Sequence, residues 1–273
     1  MKNIFSVDFE DWYHSNLSSS PKNLPLNKTS IINKGTDKIL NLLKITKNKA
    51  TFFILGELTK NYKNLIKEII SEGHEIALHS FSHDLIYQLG PKRFEENLIR
   101  AKNDLENIIN KKILGFRAPS WSVDFNNTPW FWKILNKHGF KYSSSIIPFK
   151  TKIYGEPRSE RFFYKINNII EFPVSTFKIL SFNIPFSGGF YLRFLPFNLI
   201  KLFTKIINNS KKYVIFYIHP RELIKNQPKI KLSFFDSLIH YYGIASVEKK
   251  LNCLLNSNSF ITFEQFIKLY IKS

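Results

Sequence analysis

Short apolar runs alternate with amphipathic stretches along almost the whole chain, and this alternation restricts the fold more than any other feature. Ile4–Val7, Ala50–Leu55, Glu75–Leu78, Ile113–Phe116, Phe140–Tyr142 and Tyr213–Ile218 read as buried strands. Helical spacing fills Ile31–Leu43, Glu57–Ser71, Pro91–Asn110, Pro129–His138 and Pro196–Asn208. Pro91 and Pro196 stand at helix starts, where a missing N–H is tolerated, and Gly73 and Gly139 mark helix ends. Ile169–Pro173 reads as one more short strand, and Gly188-Gly189 as a turn in a loop. Phe260-Ile261 reads as strand between two terminal helices, Ser246–Leu255 and Thr262–Ile271. Residues 15–30 and 149–168 read as irregular. Alternation of this kind predicts an α/β fold on a parallel sheet, either barrel or open. No linker, repeat or low-complexity tract interrupts it, so residues 1–273 are expected to form a single domain.

A hydrophobic fraction of 44% over 273 residues supplies a sizeable core and excludes wholesale disorder. The 40 basic and 21 acidic residues leave a net charge of +19, which attracts polyanions: nucleic acid, anionic lipid or acidic sugars. The lysines are scattered and no nucleic-acid-binding motif accompanies them, so nucleic acid is not an expected partner. Cys253 is the single cysteine, which rules out an intrachain disulfide and suits a reducing compartment. The stretch from Met1 to Asp8 turns polar too soon for a signal peptide, and no apolar run approaches the ~20 residues of a membrane span. The expected location is the cytoplasm, with peripheral contact at the cytosolic membrane face as its extension.

Chemistry concentrates where the strands end. Asp8, Glu10 and Asp11 follow the first strand, and carboxylates this close need a cation or solvent to compensate them. His79 and His83 follow the third, four residues apart, the spacing at which a helical turn places two rings on one face. Arg117 follows the fourth and His219 the last. His74 lies at the opposite end of the third strand and reads as structural. Strand ends on one face of a parallel barrel lie together. Two imidazoles and a carboxylate with open positions form the pattern of a hydrolytic zinc site.

These motifs, in this order, resemble the polysaccharide deacetylases of the NodB-homology superfamily, the family 4 carbohydrate esterases. Ser6-Val7-Asp8-Phe9-Glu10-Asp11-Trp12 resembles the opening motif of the branch associated with exopolysaccharide loci. His79-Ser80-Phe81-Ser82-His83 resembles the metal motif, Arg117-Ala118-Pro119-Ser120-Trp121 the R-x-P-x-W motif, and Ile218-His219-Pro220 the final strand motif. Glu171-Phe172-Pro173 and Pro185–Gly189 also resemble segments of that branch.

The resemblance implies a distorted (β/α)7-type barrel, the NodB-homology or glycoside hydrolase/deacetylase fold. It also implies metal-dependent removal of an N-acetyl group from a sugar in surface polysaccharide or lipopolysaccharide-type biosynthesis. One divalent ion, zinc foremost, would be held by His79, His83 and Glu10, with Asp11 as the alternative to Glu10. Asp8 would be the base, Arg117 its orienting partner and His219 the general acid. Trp121, Pro119, Ser144 and Tyr191 are the candidates for substrate contact, with Phe186 a further aromatic for stacking or core. The expected partner is an N-acetylated sugar or glycan, carried on a nucleotide or a lipid. The alternatives are another amidohydrolase of non-peptide C–N bonds on the same scaffold, or a catalytically weakened glycan-binding homologue. One departure stands out: Ser143 occupies the position where the family carries an aspartate that tunes the catalytic histidine. Glu171 or another acid would have to take that part.

Overall fold

The computed structural model describes residues 2–16, 30–151, 155–229 and 232–271. Its main sheet holds β1 (Asn3–Phe9), β2 (Thr51–Ile54), β3 (Glu75–Leu78), β4 (Gly115–Phe116), β5 (Tyr142–Ser143), β6 (Tyr164–Ile166), β7 (Ile169–Glu171), β10 (Ile215–Ile218) and β11 (Phe260–Ile261). The strand order is β10-β1-β2-β3-β4-β5-β7-β6, with β11 pairing the foot of β1. Every pairing is parallel except that of β6 with β7. All seven residues of β1 are buried, as continuous apolar runs in a parallel sheet require. In register, Val7 faces Ile218 on one side and Phe52 on the other, so the carboxyl ends of β10, β1 and β2 sit side by side.

The distorted barrel takes the form of a curled half-barrel. Between its two edges runs the segment after β7. Ser175 Oγ accepts the Ile215 N–H at 2.9 Å and the Ser187 carbonyl accepts the Tyr217 N–H at 3.1 Å. Gly188 forms a single parallel bridge with Tyr217, and a Cβ on Gly188 would stand 2.3 Å from the Tyr217 ring. A hairpin of β8 (Thr176–Ile179) and β9 (Phe182–Pro185) projects from this segment. Its alternation was too weak to separate from loop in the sequence.

The helices are α1 (Ile32–Ile45), α2 (Lys63–Ser71), α3 (Ile86–Ile109), α4 (Phe131–Lys137), α5 (Gly189–Phe194), α6 (Phe197–Asn209), α7 (Phe234–Tyr241), α8 (Ile244–Ser257) and α9 (Phe263–Tyr270). Several boundaries differ from the sequence reading. The helix expected over Glu57–Ser71 begins as a 3-10 turn at Gly56–Leu58 and becomes α-helical only at Lys63. The helix expected from Pro91 starts at Ile86 and kinks at Gly90, whose φ of 70° needs glycine; Pro91 opens its second segment. Gly189 is not in a loop but opens α5. Part of the two irregular stretches, residues 17–29 and 152–154, lies outside the described residues.

Two histidines are buried neutral in this frame. Burial, then Lys49, lowers His74 to about 4, and its Nδ1 accepts the Ala50 N–H at 3.3 Å. Burial, then Arg221 and Arg193, lowers His240 to about 3. Unfolded histidines titrate near ~6.5, so between there and about 4 the unfolded chain binds more protons. Stability therefore falls on acidification through this window, by about 1.4 kcal/mol per pH unit for each histidine. Urea midpoints measured from neutral pH to mild acid should show this slope. His74→Gln should remove one proton's share, and an unchanged slope would contradict the buried neutral state.

Candidate active site

The carboxyl ends of β1, β3, β4 and β10 bring the expected groups together. Glu10 Oε2 lies 2.6 Å from His83 Nε2 and 3.8 Å from His79 Nε2. All three side chains are buried, and one ligand atom from each falls within 4.8 Å of the others. No other group of this kind occurs among the described residues. The rings do not converge through a helical turn. His79–His83 is an irregular loop with φ of 65° at Ser80 and 57° at His83. Backbone bonds from the 3-10 turn after β2 hold it, Gly56 N–H to Ser80 O at 3.0 Å and Glu57 N–H to Phe81 O at 2.9 Å. Ser120 and Trp121 also take positive φ, at 51° and 46°. Left-handed backbone at non-glycine residues is costly and gathers where function requires it.

The donor set fits a divalent cation. His79 Nδ1 lies 2.9 Å from the Arg117 carbonyl, which fixes the proton there and leaves the Nε2 lone pair facing Glu10. Burial, offset in part by Asp8, lowers His79 to about 4, so it is neutral at pH 7. Glu10 Oε2 is buried without a well-formed hydrogen bond despite its short approach to His83. Buried polar atoms are almost always satisfied, and an orphaned carboxylate oxygen between two imidazoles is a cation's place. Burial raises the Glu10 pKa, but His83, His219 and His79 outweigh it and hold the group well below the usual carboxylate range.

Asp11 turns away from this cluster. Its carboxylate accepts the N–H groups of Trp12 at 2.9 Å and Ile31 at 3.1 Å and the hydroxyl of Ser30. It thereby ties the opening strand to the start of α1. That helix in turn backs the His219 turn, since a Cβ on Gly35 would stand 2.2 Å from the Pro220 carbonyl oxygen.

Asp8 faces two ways. Its Oδ1 accepts from Arg117 Nη1 at 2.7 Å, and its Oδ2 lies 3.9 Å from His219 Nε2. Arg117 is fully buried, donates also to Ser6 Oγ at 2.9 Å, and lies 4.2 Å from the Phe53 ring centre. His219 Nε2 stands 3.4 Å from Glu10 Oε1. On the far side of the ring, His219 Nδ1 stands 3.4 Å from Glu222 Oε1. Glu222 is wholly buried in a 3-10 turn, Pro220–Leu223, and meets Arg193 Nε at 3.2 Å. Burial pushes Glu222 up, yet Arg193, His219 and Arg221 bring it down to about 2. Burial likewise opposes protonation of His219, and Glu10, Glu222 and Asp8 together raise it above the usual histidine value.

Comparison with known proteins agrees with this geometry. Residues 23–143 match the polysaccharide deacetylase family, and residues 144–268 match a domain of unknown function, DUF3473. The first of these segments is a polysaccharide deacetylase domain. A peptidoglycan deacetylase of Helicobacter pylori is 30% identical over 113 residues, 41% of this chain and 37% of the relative. The chain thus spans little more than a third of that curated relative. Among solved structures, the peptidoglycan N-acetylglucosamine deacetylase Bc1960 superposes with a TM-score of 0.52 at 17% identity, covering 97% of this chain and 87% of that one. The allantoinase PuuE gives 0.63 at 14% identity, covering 100% and 92%.

The deacetylase profile contains His79, His83 and Arg117, while His219, Glu222 and Tyr191 fall in the second matched segment and Asp8 and Glu10 precede both. One continuous sheet joins them. Glu171 is not the acid that meets His219. It accepts from Trp132 Nε1 at 2.9 Å and from the Ser145 N–H at 2.7 Å, and so braces the sheet. Ser143 donates to Ser145 Oγ at 2.7 Å. The acid beside His219 is Glu222, three residues downstream; the only sequence signal was an acid shortly after the final-strand histidine.

The candidates for substrate contact divide. Ser144 is fully buried and occupied by Arg117, through its hydroxyl at 3.1 Å and its carbonyl at 3.3 Å. Phe186 is core, edge-on to Phe203 and Phe216. Pro119 is buried at the start of the 3-10 turn that positions Trp121. Trp121 packs edge-on against Tyr217, whose ring lies 5.8 Å from that of His219. Tyr191 is half-buried on α5, edge-on to Phe149.

Proposed function

We propose that the chain is a metal-dependent hydrolase that removes the N-acetyl group from a sugar. Its setting in this reading is the assembly of a surface polysaccharide or lipopolysaccharide-type glycan, on a nucleotide- or lipid-linked N-acetyl sugar. The observation that carries it is the convergence of Glu10, His79 and His83 beside two differently supported proton carriers, Asp8 and His219. A divalent ion held by those three side chains, zinc by donor type, would polarise the acetyl carbonyl and acidify the attacking water. Asp8 takes the water's proton at Oδ2, since Oδ1 is held by Arg117. His219 delivers a proton from Nε2 to the departing amine, while Glu222 holds Nδ1. Trp121 and Tyr191 flank the sugar. The whole of residues 1–273 acts as one unit in this reading, because both matched segments supply the site.

The cytoplasm, at the inner face of the membrane, is the proposed location, consistent with a single unpaired cysteine. Acetate release should be followed on a panel of UDP-linked and lipid-linked N-acetyl sugars. Acetate from at least one, lost on chelation, is the expected result. Ammonia from a non-sugar amide instead would favour the second reading, another amidohydrolase on the fold that an allantoinase shares. Tight glycan binding without acetate would favour a weakened homologue.

A further inference from the structure

We propose that α7 and the adjoining α5 form a docking surface for an anionic phospholipid membrane. Along α7 only His240 is buried. Phe234 and Phe235 are 78% and 74% exposed, and Leu238, Ile239 and Tyr242 are also exposed. Phe194 of α5, half exposed, stacks on Phe190 at 5.3 Å and reaches Tyr242 at 5.6 Å, which joins the two helices into one apolar face. Single exposed apolar residues are ordinary, but a contiguous aromatic cluster marks an interaction surface.

The cluster is held outward. From beneath, the buried Arg193 donates to the carbonyls of Ile239 at 2.7 Å and His240 at 3.3 Å, and also to that of Tyr242. At the other end Ser233 Oγ caps the helix through the Asp236 N–H at 3.1 Å. The helix is therefore anchored at both ends while its apolar side chains stay exposed, as entry into a headgroup layer requires.

Charge identifies what covers it. Exposed Lys225 and Lys229 lead into α7, and the Tyr241 hydroxyl donates to the Pro228 carbonyl at 3.3 Å, keeping that basic segment against the helix. Asp236 is the one acidic residue in α7. Protein–protein interface cores are depleted in lysine, whereas aromatic and aliphatic tips interleaved with lysine sit at the headgroup–acyl boundary of anionic bilayers. No helix among the described residues is long and apolar enough to cross a membrane, so the mode is surface docking. The surface also borders the site, because Gly189 at the start of α5 packs on the Tyr217 ring beside His219.

The test is sedimentation of the full chain with vesicles of phosphatidylcholine alone or mixed with phosphatidylglycerol. Binding to the mixed vesicles only, weakened by salt, is expected. The Phe234→Ser/Phe235→Ser pair should lower the partition coefficient about tenfold or more. The Lys225→Gln/Lys229→Gln pair should lower it several-fold. All four side chains are exposed, and acetate release from a soluble substrate should be unchanged in both variants, so this inference and the hydrolase reading fail separately. No binding, equal binding to both vesicles, or unchanged binding by the phenylalanine pair overturns the proposal. So does a solution dimer that the phenylalanine pair dissociates, which would make a second copy the occupant.

Discussion

Replacing His83 by alanine is expected to remove the divalent metal and to cut acetate release by on the order of a thousandfold or more. The magnitude follows from Lewis-acid stabilisation worth several kcal/mol, with each 1.4 kcal/mol a factor of ten. His83 Nε2 makes the tightest approach to Glu10 Oε2, at 2.6 Å, so its loss opens one corner of a three-sided site. His79→Ala should act alike. It also frees the Arg117 carbonyl, which sits 2.9 Å from His79 Nδ1, and so carries a further stability loss. The informative control is Asp11→Asn. That carboxylate holds Trp12, Ser30 and Ile31, away from the cluster. Metal content should therefore survive in Asp11→Asn while thermal stability falls. Metal analysis after desalting, paired with an acetate assay, distinguishes these outcomes. Full acetate release by the chelated wild-type chain would refute the metal-assisted mechanism outright. Metal loss in Asp11→Asn with retention in Glu10→Gln would move the third ligand to Asp11.

The strands and their terminal groups were legible because each buried strand is a continuous apolar run that stops at a polar residue. That is why Asp8, His79, Arg117 and His219 could be placed at one edge of a sheet before any coordinates. What stayed hidden depends on backbone paths without periodicity. The His79–His83 loop reaches its geometry through left-handed residues at Ser80 and His83, which no propensity of Ser or His foretells. The β8–β9 hairpin pairs only with itself, and its outer residues Leu180 and Phe182 are exposed, so no inward-facing alternation marks it. Helix α7 is short and its apolar stripe, Phe234, Phe235, Leu238 and Ile239, faces outward with His240 alone buried, so no core-facing pattern marks it. Period-two alternation favours Glu10, on the side of Asp8, but both residues follow β1, so spacing alone leaves Asp11 as the alternative. The separation comes from Ser30 and Ile31, 19 and 20 residues downstream, which only tertiary structure brings back to Asp11.

Glu222→Gln should lower kcat by about a hundredfold with little change in KM, and should move the alkaline limb of the pH profile to lower pH. A positioned general acid is worth ~10²–10⁴-fold, and it must be protonated when the amine departs. In the structure burial works against the His219 imidazolium, and Glu10, Glu222 and Asp8 together raise its pKa above the ordinary value. The protonated form is therefore present up to that raised pKa and is lost as pH climbs through it. Taking one carboxylate away lowers the pKa, so activity must fall off earlier on the alkaline side. Glu10 and Asp8 both lie on the Nε2 side, where metal and substrate would share their charge, whereas Glu222 meets Nδ1 on the opposite side of the ring. Glutamine preserves the shape but leaves Arg193 without its buried counter-charge at 3.2 Å, so a moderate stability loss accompanies the kinetic one. Glu171→Gln separates the two effects. It loosens the bonds to Trp132 and Ser145 and should cost stability without moving the alkaline limb. If Glu171→Gln shifts the limb and Glu222→Gln does not, the acid supporting His219 has been misassigned and the sheet-bracing carboxylate is the one that tunes it.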